Sequence, residues 1–297
     1  MLLEQLIVST LILTTPILLA AMGGLVNRQA GIVNIGLEAK MLAGAFTAVV
    51  VSSTTQSWLL ACLAAALAGA VIGLLFSLTI TRLKANMIVA GLGLNILIAG
   101  ALGFILSWFY RSSGTLRLPD VALLPKVMPE AIATLPVIGP ALAALDPLTL
   151  LAWITVAALP FLLASTRIGL WLRATGNAPQ VTRAVGLRTL AIQDASTTFA
   201  GVFAGLAGAH LALVSLGLFN EGLTAGRGFI ALAAFYFGRD KPVATAMACL
   251  LFGFLDAGQI RLQLAGFPPK LIGMTPYVMV LLALVAASIR AQRKARL

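Results

Sequence analysis

Long apolar runs separated by short clusters of charge and turn residues organise this chain. They cover roughly 5–26, 32–52, 58–81, 87–109, 147–165, 195–217, 228–237, 242–260 and 272–289. Most approach the ~20 residues that a helix needs to cross the hydrocarbon core of a bilayer. The seventh is too short to cross unaided and reads as a half-helix or re-entrant piece. None shows the ~10-residue alternation of a transmembrane strand, and Ala, Leu and Gly dominate instead. Lipid offers no partner to a free backbone N–H or C=O, so the runs are predicted to be helices. The expected fold is an all-α polytopic membrane protein of about nine spans, roughly eight to ten.

Composition agrees. Hydrophobic residues fill 60% of the 297 positions and charged residues 10%, where a soluble domain carries about 25% charged. The net charge of +11 does not point to nucleic acid, because the basic residues lie between apolar spans, where orientation signals belong. Arg290, Arg293, Lys294 and Arg296 are placed in the cytoplasm. Counting back, Arg239 and Lys241, the segment 166–193, and Arg82 and Lys84 fall on the same side. Segment 110–146 falls outside. Its Arg111, Arg117 and Lys126 are balanced by Asp120, Glu130 and Asp146; rich in proline and too long for a simple turn, it is expected to include surface helices. The amino terminus is then outside. The first run is not read as a cleaved leader, since Gly-Gly-Leu-Val-Asn-Arg follows it in place of a small-residue cleavage site. Residues 1–297 read as one membrane domain. Cys62 and Cys249 lie within apolar runs and read as small buried hydrophobes.

Function is sought where polar residues interrupt lipid-compatible sequence. Gly24, Asn27, Gly31, Asn34 and Glu38 are spaced 3, 4, 3, 4. On one continuous helix they share a face; across a break they flank an unwound, Gly-rich segment. Glu38 within a span costs about 2.5–3.5 kcal/mol on insertion scales. It either lines a translocation path or pairs with Lys40 or another helix. Asn95 sits mid-span and either meets substrate or clamps a neighbouring helix. Gly69-x-x-x-Gly73 and Gly201-x-x-x-Gly205 permit close helix packing. His210, the one histidine, reads as a helix-end hydrogen bond or a proton relay. Asp256, Gln259, Arg261 and Gln263 close the eighth run as an outer vestibule or a plain solvated end. In 166–193, Gly176-Asn177 forms a turn, and Pro179 starts a short helix with Val181, Ala184 and Val185 on one apolar face. Such a helix suits docking to a soluble partner or resting on anionic lipid.

The sequence contains no G-x-x-x-x-G-K-[ST] phosphate loop, no His/Cys metal cluster, no H-E-x-x-H and no G-x-S-x-G turn. An enzyme reading has little to stand on.

Gly24-Leu-Val-Asn-Arg-Gln-Ala-Gly-Ile-Val-Asn-Ile-Gly-Leu-Glu38, followed by Met41-Leu-Ala-Gly-Ala-Phe46, resembles the signature of the branched-chain amino acid/ribose-type permeases of ABC importers. Within that family the likeness is greatest to nucleoside (purine or simple sugar) permeases, and to the shorter of their two paired subunits. It extends over nearly the whole chain. Arg173-Ala-x-Gly-x-Asn177 through Arg183-x-x-Gly186 is similar to the family's cytoplasmic coupling loop, which contacts the ATPase. Gly226-Arg-Gly-Phe-Ile-Ala-Leu-Ala233, Phe237-Gly-Arg239, Asp256 through Gln263 and Pro276-Tyr277 match later family segments. Lys40 departs from the small or apolar residue usual there, as does Asp240-Lys241 before Pro242.

The resemblance implies a type II ABC importer-like permease of the bacterial inner membrane, working by alternating access. Its implied partners are a second related permease, ATPase subunits and an extracytoplasmic substrate-binding protein or lipoprotein. No cofactor is expected on this chain; ATP binds the partner. Asn34, Glu38 and Asn95 are assigned to the path and Arg173, Gly176, Asn177, Arg183 and Gly186 to ATPase coupling. Asp256 and Gln259 are assigned to an outer vestibule. Nucleosides lead as substrate, with simple sugars and branched-chain amino acids behind. The rival classes are an ion-coupled secondary transporter, for which Glu38 is nearly the sole midplane carboxylate, and a membrane enzyme or structural subunit.

Overall fold

The computed structural model describes residues 2–127, 139, 143–215 and 217–264. Along them run helices α1 (Leu2–Gln29), α2 (Leu37–Thr55), α3 (Trp58–Thr81) and α4 (Met87–Phe109). After strand β1 (Thr115–Arg117) come α5 (Pro147–Ser165), α6 (Arg167–Asn177), α7 (Pro179–Ala184) and α8 (Thr189–Leu213). Strand β2 (Leu218–Asn220), α9 (Arg227–Phe237) and α10 (Pro242–Leu264) complete the described chain. Among the described residues, α1, α3, α4, α5, α8 and α10 are the six helices long and apolar enough to cross a membrane. Helix α2 is 19 residues long but carries Glu38 and Lys40. It is largely buried in the protein and so has little need to be lipid-compatible all round. The seventh run forms α9, at 11 residues too short to cross. The ninth run, 272–289, lies outside the described residues.

Local chemistry sets several helix ends. Ser57 accepts from the amide of Leu60, Asn86 from those of Ile88 and Val89, and Asp146 from those of Leu148 and Thr149 with Pro147 at the first turn. Helix α1 ends in a Schellman turn: Ile32 N–H donates to Asn27 C=O (3.2 Å) and Gly31 N–H to Arg28 C=O (2.9 Å). Gly31 takes the left-handed conformation this turn requires, φ +83°.

The core is built around α8, against which α1, α2 and α3 all pack. Glycines decide how closely. A Cβ at Gly69 would collide with the carbonyl of Gly201, and one at Gly205 with that of Ala65. The two G-x-x-x-G motifs thus meet each other, and α2 closes in the same way where Gly208 lies on the Met41 carbonyl. With lipid tails as apolar as Leu, helices associate by such close contact and by hydrogen bonds rather than by expelling water. Asn27 Nδ2 donates to Ser196 Oγ (3.1 Å) and Thr197 Oγ1 (2.9 Å), clamping α1 to α8. Asp194 on α8 accepts from Ser77 (2.6 Å), Thr81 (3.2 Å) and Arg82 (3.0 Å) on and just after α3.

In segment 110–146, Gly139 and Ala143 are helical and most residues between 128 and 142 lie outside the described ones. Residues 111–127 hold no helix; Thr115, Leu116 and Arg117 pair antiparallel with Asn220, Phe219 and Leu218. Ser52 and Ser53 at the end of α2 donate to the carbonyls of Ala122 and Pro119. Among the described residues the regular structure is therefore helical apart from this two-stranded ribbon. Three-residue strands separated by a hundred positions leave no periodic trace in a sequence.

Candidate translocation path and coupling surface

Between α1 and α2 the chain leaves helical geometry over residues 30–36. This is the unwound alternative of the two readings of the 3, 4, 3, 4 spacing. Asn34, Glu38 and Asn95 gather around it, each on a different errand.

Asn95 Oδ1 accepts from the amide of Ala39 (3.0 Å), and its Nδ2 donates to the carbonyl of Ile35 (3.2 Å). It thereby satisfies one of the orphan donors in the first turn of α2, whose own N-cap residue, Gly36, has no side chain to do so. Glu38 does the same for α9. Its Oε1 accepts from the amide of Gly226 (2.9 Å) and its Oε2 from that of Gly228 (2.7 Å). A carboxylate at a helix N-terminus meets the positive end of the macrodipole, and α9 likewise starts without a capping side chain. Both helices beside the break are thus capped from a neighbouring element. Neither link is visible in local sequence; the clue is a helix start that lacks Ser, Thr, Asp or Asn.

Glu38 is not paired with Lys40. Lys40 is fully buried, its Nζ donating to Asn34 Oδ1 (2.6 Å) and lying 4.6 Å from the centre of the Phe76 ring. The Asn34 Nδ2 is buried without a partner. This side chain, held by one amide oxygen and an aromatic face, links the break to Phe76 of α3.

The residues expected to couple to an ATPase lie on α6, on α7 and just after it. Arg173, Asn177, Arg183 and Gly186 are exposed, as are Val181 and Ala184 on α7 and Val185 at its end. Gly176 is half-buried, and a Cβ on it would run into the carbonyl of Gln29 and lie 2.9 Å from the amide nitrogen of Gly31. The break also receives a bond from Gln193 of α8 to the carbonyl of Ala30 (3.4 Å). Between α5, α6 and α8 runs an apolar groove of about 530 Å³, lined by residues including Trp171, Leu172, Ile192 and Phe199. It shares no residue with the polar cluster.

Asp256 pairs with Arg227 at the start of α9 (3.4 Å), and Gln259 is half-buried one turn further along α10. His210 Nε2 lies 3.1 Å from Asp146 Oδ2, so the histidine ties the end of α8 to the N-cap of α5. Thr149 and Thr15 extend that contact to α1. Sequence reading placed His210 in a helix-end bond but not Asp146 as its partner. Among the described residues no group of His, Cys, Asp and Glu is arranged to hold a metal ion.

The family model described as branched-chain amino acid transport system / permease component matches residues 6–284. The nucleoside ABC transporter permease protein NupC of Lactococcus lactis subsp. cremoris is 35% identical, over 95% of this chain and 92% of that protein. The guanosine ABC transporter permease protein NupQ of Bacillus subtilis is 31% identical, over 93% and 89%. The glucose ABC transporter permease protein TsgB13 of Haloferax volcanii is 26% identical, over 91% and 74%. No solved structure matches. A multi-pass helical chain matched nearly end to end, it belongs to the branched-chain amino acid transport system permease family: it is a transport subunit of an ABC transporter.

Proposed function

We propose that this chain is one of two related permeases of a bacterial inner-membrane importer that carries nucleosides into the cell. The observation that carries the reading is the likeness to two permeases named for nucleosides and guanosine, at 35% and 31% identity over more than nine-tenths of the chain. Transport proceeds by alternating access, powered by ATP bound to separate subunits and supplied by an extracytoplasmic binding protein. About nine spans cross the membrane, with the carboxyl terminus and the 166–193 segment in the cytoplasm. Arg173, Gly176, Asn177, Arg183 and Gly186 face the ATPase. Asn34, Glu38 and Asn95 border the path, and Asp256 and Gln259 its outer mouth. A path needs only weak contact with its substrate when a binding protein selects it, and the polar cluster at the break is accordingly small.

A sugar substrate is the second reading, favoured by the glucose permease of Haloferax volcanii. Against an ion-coupled transporter stands Glu38, whose two oxygens are both engaged by the start of α9. The test is uptake of labelled guanosine, ribose and leucine in cells carrying the whole transporter, with and without this chain. Loss of guanosine uptake alone is expected. Loss of ribose or leucine uptake in its place overturns the substrate and keeps the transporter class. For the path, Glu38→Ala is expected to lower transport; unchanged transport and unchanged complex stability would remove Glu38 from it.

A further inference from the structure

The break between α1 and α2 is a non-helical piece between two helices fixed to α8. Asn27 clamps the end of α1 to α8, and α2 is pressed onto α8 at Gly44 and Gly208. Residues 32–34 between them have no regular secondary structure. On its cytoplasmic side the break touches α6 backbone to backbone. A Cβ on Gly31 would lie 3.1 Å from Gly176 Cα, and one on Gly176 would overlap the Gln29 carbonyl. No side chain cushions this contact, so a shift of α6 cannot be absorbed by a change of rotamer.

On its far side the break holds α4. Asn95 bonds Ile35 and Ala39, and a Cβ on Gly91 would lie 2.9 Å from Ile35 Cβ and 3.1 Å from Gly36 N. Helix α4 is otherwise weakly embedded: only Gly91, Leu102 and Leu106 are buried along its length. The chain of contacts thus runs from α6 through the break to the least buried of the described long helices.

We infer that the break receives the coupling stroke: displacement of α6 drives residues 30–36 through the Gly176–Gly31 contact, and the break carries α4 with it through Asn95. Gly176 and Gly31 are positioning residues in this account, and α4 is the wall that moves. The inference rests on the proposed docking of the ATPase at residues 173–188 and adds the element that receives its motion.

The test uses the whole transporter in liposomes. ATP split and labelled substrate carried are measured together for the wild type, Gly176→Ala and Asn95→Ala, with whichever of guanosine, ribose and leucine the wild type carries. Gly176→Ala is expected to raise the ATP split per substrate carried about tenfold, and Asn95→Ala, which removes the bonds from α4 to Ile35 and Ala39, about twofold. If these contacts merely pack the fold, both quantities fall in step and the ratio stays at its wild-type value; that result overturns the inference. Should Gly176→Ala not assemble, the Asn95→Ala ratio decides alone. Failure of the docking reading shows separately: Arg183→Glu then leaves the ATPase subunit bound, whatever the ratios.

Discussion

Helices α8 and α4 are of similar length and both are apolar enough to span a bilayer, yet they occupy opposite situations. Some 78% of the apolar stretch of α8 is buried inside the protein, against 11% for α4. The buried one is the less hydropathic. It carries Ser196, Thr197, Gly201, Gly205, Gly208 and His210, each engaged with another helix. Helix α4 presents Ile88, Val89, Leu92, Ile96, Leu97, Phe104 and Trp108 outward. In water, hydrophobic residues go inside; in lipid, where the surroundings are as apolar as Leu, burial is driven by close packing and polar pairing. Small and polar residues therefore mark the buried α8 and large apolar ones the exposed α4, while α1 is buried through large apolar side chains such as Ile17, Leu18, Leu19 and Met22. The proposed coupling stroke follows the same division, with α2, α3 and α8 as its fixed block and α4 as its moving wall.

Substitutions that treat the two helices alike sharpen the contrast. The largest effect is expected from Gly201→Leu, which drives a side chain into the Gly69 carbonyl; loss of about 3 kcal/mol or more should remove monodisperse protein on gel filtration. Gly93 on α4 has nothing within reach of a Cβ, so Gly93→Leu should shift thermal stability in detergent by less than about 0.5 kcal/mol. Equal damage from both would break the comparison. Next comes His210→Ala, expected to cost about 2 kcal/mol by leaving Asp146 buried with one partner fewer, measured by thermal unfolding against wild type. Asn27→Ala, which unclamps α1 from α8, is expected to cost about 1 kcal/mol. Asn95→Ala should cost less stability still, about 0.5 kcal/mol, while lowering transport more than Asn27→Ala does; the reverse order would place the transport-critical link in the block.

The sequence predicts the spans 58–81, 87–109 and 147–165 at the observed bounds of α3, α4 and α5. Ser57, Asn86 and Asp146 punctuate those runs, and capping is local chemistry. Helix α8 begins at Thr189, six residues before the expected 195, because its first turns carry Gln193 and Asp194 and do not look apolar. The break was legible as one of two alternatives, since Gly31 and Asn34 are residues that stop helices. The roles around it were not. Glu38 and Asn95 stand out as polar groups in apolar runs, but their partners are backbone amides of α9 and α2, and an amide has no sequence signature. For the same reason the Gly176–Gly31 contact could be reached only through coordinates: two glycines 145 positions apart declare room for close approach, not what approaches.

The measurement that bears most directly on a rigid block beside a movable wall is a pair of distances between spin labels in the whole transporter. One pair joins Thr54 on α2 to Leu75 on α3, within the block; the other joins Leu75 to Ile96 on α4. All three positions are exposed. On trapping the ATP-bound state, the Leu75–Ile96 distance is predicted to change by more than about 2 Å while the Thr54–Leu75 distance stays fixed. A fixed Leu75–Ile96 distance, or a Thr54–Leu75 distance that changes by as much, would contradict the account.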